Sequence, residues 1–138
     1  MRSFIIASHG HFASGLAHTI ELVSNKKEMF HVLDAYSENI PVADEVAAVM
    51  AEIDPDDELV ILTDLLGGSV NQEFALVAQR RPNTTVIAGA NVALALQLAL
   101  HPERKPPTEE RINTYIEQAR KAIVHVNQVS TEMDDDDE

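Results

Sequence analysis

Short apolar runs alternate with helix-spaced stretches along most of this chain, and that alternation restricts its fold more than any other feature. The runs at 2–8, 29–35, 58–63 and 84–89 are rich in Ile, Val, Leu and Ala and read as strands. A helix-spaced segment follows each of them. In 12–24, Phe12, Leu16, Ile20 and Val23 share one face; after Pro41, Val42, Val46, Val49, Met50 and Ile53 do the same. Residues 69–80 read as a third helix with Ser69 as its N-cap. Residues 91–101 are apolar nearly all round, so this helix is expected to be buried. Strand and helix alternating four times predict an α/β doubly wound fold of three layers, with a central parallel sheet and helices on both faces. Turns fall at the DPDD of 54–57 and the RPN of 81–83, and 102–107 read as a loop. A further helix over 108–122 opens at Thr108 with an imperfect capping box. The last segment, 123–130, alternates apolar and polar residues and reads as a half-exposed edge strand.

The 138 residues are enough for one hydrophobic core, so residues 1–130 are read as one domain. The net charge is −13; the final DDDDE contributes −5 and leaves −8 on the rest. An acidic surface repels phosphate backbones, so nucleic acid is not an expected partner. Residues 131–138 are expected to be a solvated, disordered acidic tail; they lack the spacing and central Gly of a calcium loop. With no Cys there is no disulfide, thiolate metal site or thiol nucleophile. No signal-peptide or membrane-span pattern is present, and a cytoplasmic location is expected.

Two strand ends carry the chemistry. "FIIASHGH" brings His9 to the end of the first strand, and "ILTDLLGGS" brings Asp64 to the end of the third. In open α/β sheets, ligands bind beyond the carboxyl ends of the strands, where strand order reverses. In the common order 2-1-3-4, that point lies between strands 1 and 3, so His9 and Asp64 are expected to face each other. A carboxylate on one imidazole nitrogen selects the tautomer and leaves the other nitrogen as a nucleophile. Gly67, Gly68 and Ser69 then open a helix, where backbone N–H groups favour an anion. Together these residues suit a phosphoryl group carried on His9. Taken singly, each has an ordinary reading: a loop histidine, a turn-capping acid and a tight glycine turn. His11 forms an H-x-H pair with His9, and with Asp64 it leaves a metal site open. His18, His31, His101 and His125 read as surface or half-buried residues, and no nucleotide-binding motif occurs.

The stretches "IIASHGHFASGL" (5–16), "ILTDLLGGSVNQEFA" (61–75) and "VIAGANVALALQLAL" (86–100) resemble the enzyme IIA component of the mannose family of the bacterial phosphoenolpyruvate:sugar phosphotransferase system. The resemblance runs from residue 1 to about 122. It implies a phosphocarrier without a cofactor or metal. Such a protein accepts a phosphoryl group from HPr on the histidine matching His9. It passes the group to an enzyme IIB during uptake through the membrane components IIC and IID. The resemblance makes Asp64 the carboxylate holding the ring and Ser69 the serine near the phosphate, with the turn backbone at Gly67 and Gly68. It also implies a four-stranded sheet of order 2-1-3-4 and a C-terminal strand exchanged in a homodimer. The chain departs from the pattern at Leu65, where the family often has Thr, at Leu66, where an aromatic is common, and at His11, where Trp or another bulky residue is common. These positions bear on docking, whereas the acceptor, the carboxylate and the turn are intact.

Three other readings compete. The phosphoryl-donor subunit of a dihydroxyacetone-kinase system shares the fold, although the His-Gly pair favours the sugar-transport branch. A receiver module would carry phosphate on Asp64, but strand 1 ends in Ser8-His9 instead of the acidic pair that holds Mg²⁺. A metal-dependent hydrolase would use His9, His11 and Asp64.

Overall fold

A computed structural model describes residues 2–102 and 106–129. Nine elements follow in order: β1 (Arg2–His9), α1 (Phe12–Ser24), β2 (Phe30–Ala35), α2 (Val42–Met50), β3 (Glu58–Thr63), α3 (Ser69–Arg80), β4 (Thr84–Ala88), α4 (Val92–Leu100) and α5 (Glu109–Lys121). The four strands form one sheet of order β2-β1-β3-β4. Every neighbouring pair is parallel.

The alternation of side chains across β1 and β3 divides the core into two layers. Phe4, Ile6, Val60 and Leu62 face one way and pack against α1, α4 and α5 through Leu16, Ile20, Leu94, Leu98 and Ile112. Ile5, Ala7, Leu59 and Ile61 face the other way, onto Val46 and Val49 of α2 and Val70 and Phe74 of α3. β1 and β3 are therefore buried on both faces, which is why they read as unbroken apolar runs. The helix expected to be buried is α4: Leu94, Ala95, Leu98 and Ala99 lie inside, while Val92 and Leu100 reach the surface. Its N-cap Asn91 accepts from Leu94 N–H, and Thr108 caps α5 through Arg111 N–H.

The C-terminal segment differs from its expectation. Residues 126–129 form a helical turn instead of a strand, with the N–H groups of Gln128 and Val129 donating to His125 O. Alternation specifies a strand only when an edge is there to pair with. Ile123, Val126 and Val129 are also three apart, so the same residues fit a helical turn. Ile123, Val124 and Val126 are exposed there. Residues 103–105 of the expected loop, Ser130 at the end of the expected strand, and the acidic stretch 131–138 lie outside the described residues.

Candidate functional site

The site lies at the carboxyl ends of β1, β2 and β3. At the end of β1 the buried Ser8 hydroxyl accepts from Ala13 N–H at 2.7 Å and donates to Gly10 O at 3.1 Å. The hydroxyl thus ties the strand end to the first turn of α1. Gly10 has φ +63°, a left-handed conformation that a side chain rarely adopts, and its N–H donates to Ala35 O at 2.7 Å. This tight exit leaves His9 at the rim of the sheet.

Asp64 follows β3 directly, on the strand next to β1. A single carboxylate oxygen, Oδ2, accepts the backbone N–H of His9 at 2.9 Å and lies 3.0 Å from His9 Nδ1. An ionised carboxylate only accepts, so Nδ1 carries the proton and Nε2 of the neutral ring keeps its lone pair. Burial alone would raise the Asp64 pKa. The backbone and ring hydrogen bonds from His9, with the attraction of the imidazole, outweigh it and hold the carboxyl below its ordinary 3.8. The other oxygen, Oδ1, is buried without a hydrogen-bond partner among the described residues.

The loop from 64 to 68 is anchored by two residues that sequence reasoning missed. The buried Thr63 hydroxyl donates to Asn71 Oδ1 at 2.9 Å, and Asn71 Nδ2 donates to Leu66 O at 2.8 Å. Gly68, not Ser69, is the N-cap of α3, and no side chain caps that helix. Ser69 is the first helical residue, and its hydroxyl is paired with Tyr36 OH. The first turn of α3 also carries no acidic residue to offset the helix dipole. Gly68 is needed for closeness: a Cβ there would lie 2.7 Å from His9 Cε1 and 3.4 Å from Nε2. The turn backbone therefore lies against the edge of the ring that bears the free nitrogen. Around Gly67 there is open space.

Tyr36, immediately after β2, is the other residue absent from the sequence reading. Its ring stacks on His9 with centroids 5.3 Å apart and planes 16° apart. His11 turns elsewhere: its Nδ1 lies 3.1 Å from Asp34 Oδ2, and Asp34 Oδ1 accepts Ser14 N–H at 3.0 Å. Burial would raise the Asp34 pKa, but its hydrogen bonds with Ser14 and His11 bring it below the ordinary value. His9, His11 and Asp64 thus do not converge as a metal triad; among the described residues no group of three or more His, Asp or Glu is arranged to hold a metal ion. His18 and His125 are exposed, while His31 and His101 are half-buried.

The result is an open shelf. The His9 side chain is 36% exposed and Asp64 beneath it 16%. Phe12, Tyr36, Leu65 and Leu66 are exposed apolar residues close to these positions in sequence or contact. An imidazole nitrogen held by a carboxylate, beside an uncapped helix N-terminus, can attack an electrophilic centre and hold an anion formed there.

A family model described as EIIA-man, PTS system fructose IIA component, matches residues 3–116. Among solved structures, a candidate phosphoenolpyruvate-dependent sugar phosphotransferase system permease from Klebsiella pneumoniae is similar, with 35% identity, a TM-score of 0.84 and 93% of each chain covered. The mannose/sorbose-specific IIA subunit from Enterococcus faecalis superposes with a TM-score of 0.76 at 20% identity, over 89% of this chain and 92% of that one. The PTS IIA protein associated with the fucose utilization operon of Streptococcus pneumoniae gives 0.71 at 24% identity, over 92% and 94%. The last two are likenesses of fold.

Proposed function

The chain belongs to the EIIA-man family of phosphotransferase-system IIA components, and we propose that His9 is its phosphoryl acceptor, loaded by HPr and unloaded by an enzyme IIB partner. The observation that carries this reading is the pairing of His9 Nδ1 with Asp64 Oδ2 at 3.0 Å while the backbone of Gly68 lies against the Nε2 edge. The lone pair of Nε2 attacks phosphorus in line as the bond from phosphorus to the donor breaks. The ring then gains positive character, which the Asp64 carboxylate balances. The phosphoryl oxygens meet the N-terminus of α3 and the hydroxyl of Ser69, where their charge is favoured. Transfer to IIB reverses these steps. The sugar is then phosphorylated by partners, with the membrane components IIC and IID involved only indirectly.

An exposed acceptor on an open shelf suits a protein donor, which must bring its own phosphorylated side chain to His9. A cytoplasmic location follows from those partners; no helix of the described residues is long and apolar enough to cross a membrane. The homodimer of the family also belongs to this reading. Among the described residues no strand pairs with the outer edge of β4, which lies beside a cleft of about 720 Å³ lined by Thr85, Ile87, Ile112 and Ile116, where a strand from a second copy has room to pair.

Intact mass after incubation with phosphoenolpyruvate, enzyme I and HPr tests the proposal. One added phosphate on the wild type, absent in His9→Ala, is the expected result. The modification should be labile in acid and stable in base, as phosphohistidine is; lability in both acid and base, as of an acyl phosphate, would move the phosphate to Asp64. A folded wild type that takes no phosphate would overturn the reading.

A further inference from the structure

We infer that Tyr36 is a positioning residue of this site, stacked on the His9 ring and orienting the hydroxyl of Ser69; the inference rests on the phosphocarrier reading. Tyr36 has φ +64°, in the left-handed region, an unusual conformation for a bulky residue. Burial does not account for it, because the residue is 54% exposed. The turn is held locally by Ser37 Oγ, which donates to Asp34 O at 2.6 Å. What the conformation achieves is placement: the phenol ring lies parallel to the imidazole at 5.3 Å and its hydroxyl meets Ser69 Oγ. Backbone strain of this kind persists only where the surroundings over-determine it, and it concentrates at functional sites.

The two contacts do different things. The π face of Tyr36 lies against a ring that becomes cationic as phosphate arrives, an arrangement that favours the charged state and restricts ring rotation. In the hydroxyl pair either oxygen can donate, and the direction decides the use of a proton. Serine has one proton and two lone pairs. When Tyr36 OH donates to Ser69 Oγ, the proton of Ser69 is left for a phosphoryl oxygen. Without that donor, Ser69 would be free to rotate. The signal in the sequence is weak: an aromatic directly after the strand adjoining β1, with no periodicity behind it.

Single-turnover transfer from phosphorylated HPr separates the contacts. Tyr36→Phe keeps the stack and loses the relay; its transfer step should slow about threefold to tenfold, with apparent affinity for HPr unchanged. In a Ser69→Ala background, Tyr36→Phe should add no further loss, which a double-mutant cycle reads directly. Tyr36→Ala loses the stack as well and should slow transfer about 30-fold or more. Wild-type rates in both variants, or losses confined to HPr affinity, would overturn the inference.

A second readout is independent of transfer. By ¹⁵N NMR of the unphosphorylated protein at neutral pH, the two ring nitrogens of His9 should be well separated in the wild type and in Tyr36→Phe. They should move towards each other in Tyr36→Ala as ring rotation mixes the tautomers. An unchanged spectrum in Tyr36→Ala would refute the positioning role. A changed spectrum in a protein that takes no phosphate would instead place the error in the phosphocarrier reading.

Discussion

Gly68→Ala should damage phosphoryl transfer while leaving the fold intact. Gly68 has φ −81° and ψ 159°, extended backbone open to any L residue, so alanine strains nothing there by itself. Its Cβ, however, would stand 2.7 Å from His9 Cε1 and 3.6 Å from Leu65 Cβ. Carbon atoms settle at about 3.5 Å or more, so a gap of roughly 0.8 Å must be opened at the imidazole. α3 cannot retreat easily, because Val70 and Phe74 fix it to the sheet with no exposed surface. The imidazole, a third exposed, can move. Such a shift breaks the hydrogen bond of 3.0 Å to Asp64 and lifts Nε2 from the helix N-terminus. A misplacement near 1 Å costs about 10²-fold in rate, so transfer from HPr should fall by ~30- to 100-fold. Stability should change by no more than about 1 kcal/mol, since the gain of about 0.4–1 kcal/mol from a stiffer unfolded chain is offset by the poor fit of alanine at the N-cap position that Gly68 holds. The assay is single-turnover phosphorylation beside urea unfolding, with Gly67→Ala as control, because a Cβ at Gly67 meets nothing within 4 Å among the described residues beyond its chain neighbours. Wild-type transfer in Gly68→Ala would refute the reasoning. So would an equal loss in Gly67→Ala.

Asp64→Asn can still accept both His9 hydrogen bonds through its amide oxygen, but without charge; phosphorylation should slow at least about tenfold with the fold retained, and an unchanged rate would remove Asp64 from its role. Asp34 and Asp64 both have carboxyl groups held below the ordinary 3.8, so their stabilisation is fully present above that pH and is lost as pH falls through the lower folded values. Urea midpoints of the Asp34→Asn/Asp64→Asn double variant should therefore fall less steeply below pH ~4 than those of the wild type; parallel curves would contradict the linkage. Ser8→Ala leaves the buried Ala13 N–H without its acceptor and should cost about 1–3 kcal/mol by urea unfolding. His11→Ala should still accept one phosphate, because its ring is 80% exposed and turned to Asp34. Loss of phosphorylation in that variant would bring His11 back into the chemistry.

Much of the site was readable because the fold supplies the long-range information. His9 and Asp64 are far apart in sequence, yet the order 2-1-3-4 makes β1 and β3 neighbours and their ends coincide. The apolar runs were legible for the same reason: strands buried on both faces need no polar alternation. The helix boundaries at 12–24 and 69–80 also matched, each set by a turn with glycine before an amphipathic face. What escaped has a common cause. Tyr36, Asn71 and Thr63 act through single partners in other elements, with no period or motif to mark them. Ser69 carried a capping signal that another partner claimed: its hydroxyl goes to Tyr36, and Gly68 takes the cap position.

The segment 123–129 departs from the expected strand in the single chain for a different reason, one that concerns assembly. Within 123–129 the apolar residues Ile123, Val124, Val126 and Val129 satisfy a two-residue and a three-residue spacing almost equally. A lone chain resolves that ambiguity locally, by the helical turn at 126–129, because a turn makes its own hydrogen bonds while a strand must borrow them from an edge. Among the described residues, β4 offers such an edge in each copy. A second copy could therefore exchange exposed Ile123, Val124 and Val126 for a paired, half-buried strand. The conformation of this segment and the oligomeric state are then one equilibrium: dilution should convert strand to turn, and Val124→Pro, which removes a ladder donor, should shift the mass measured by light scattering from dimer towards monomer while His9 still takes phosphate. A protein already monomeric at high concentration would detach the alternating segment from any role in assembly.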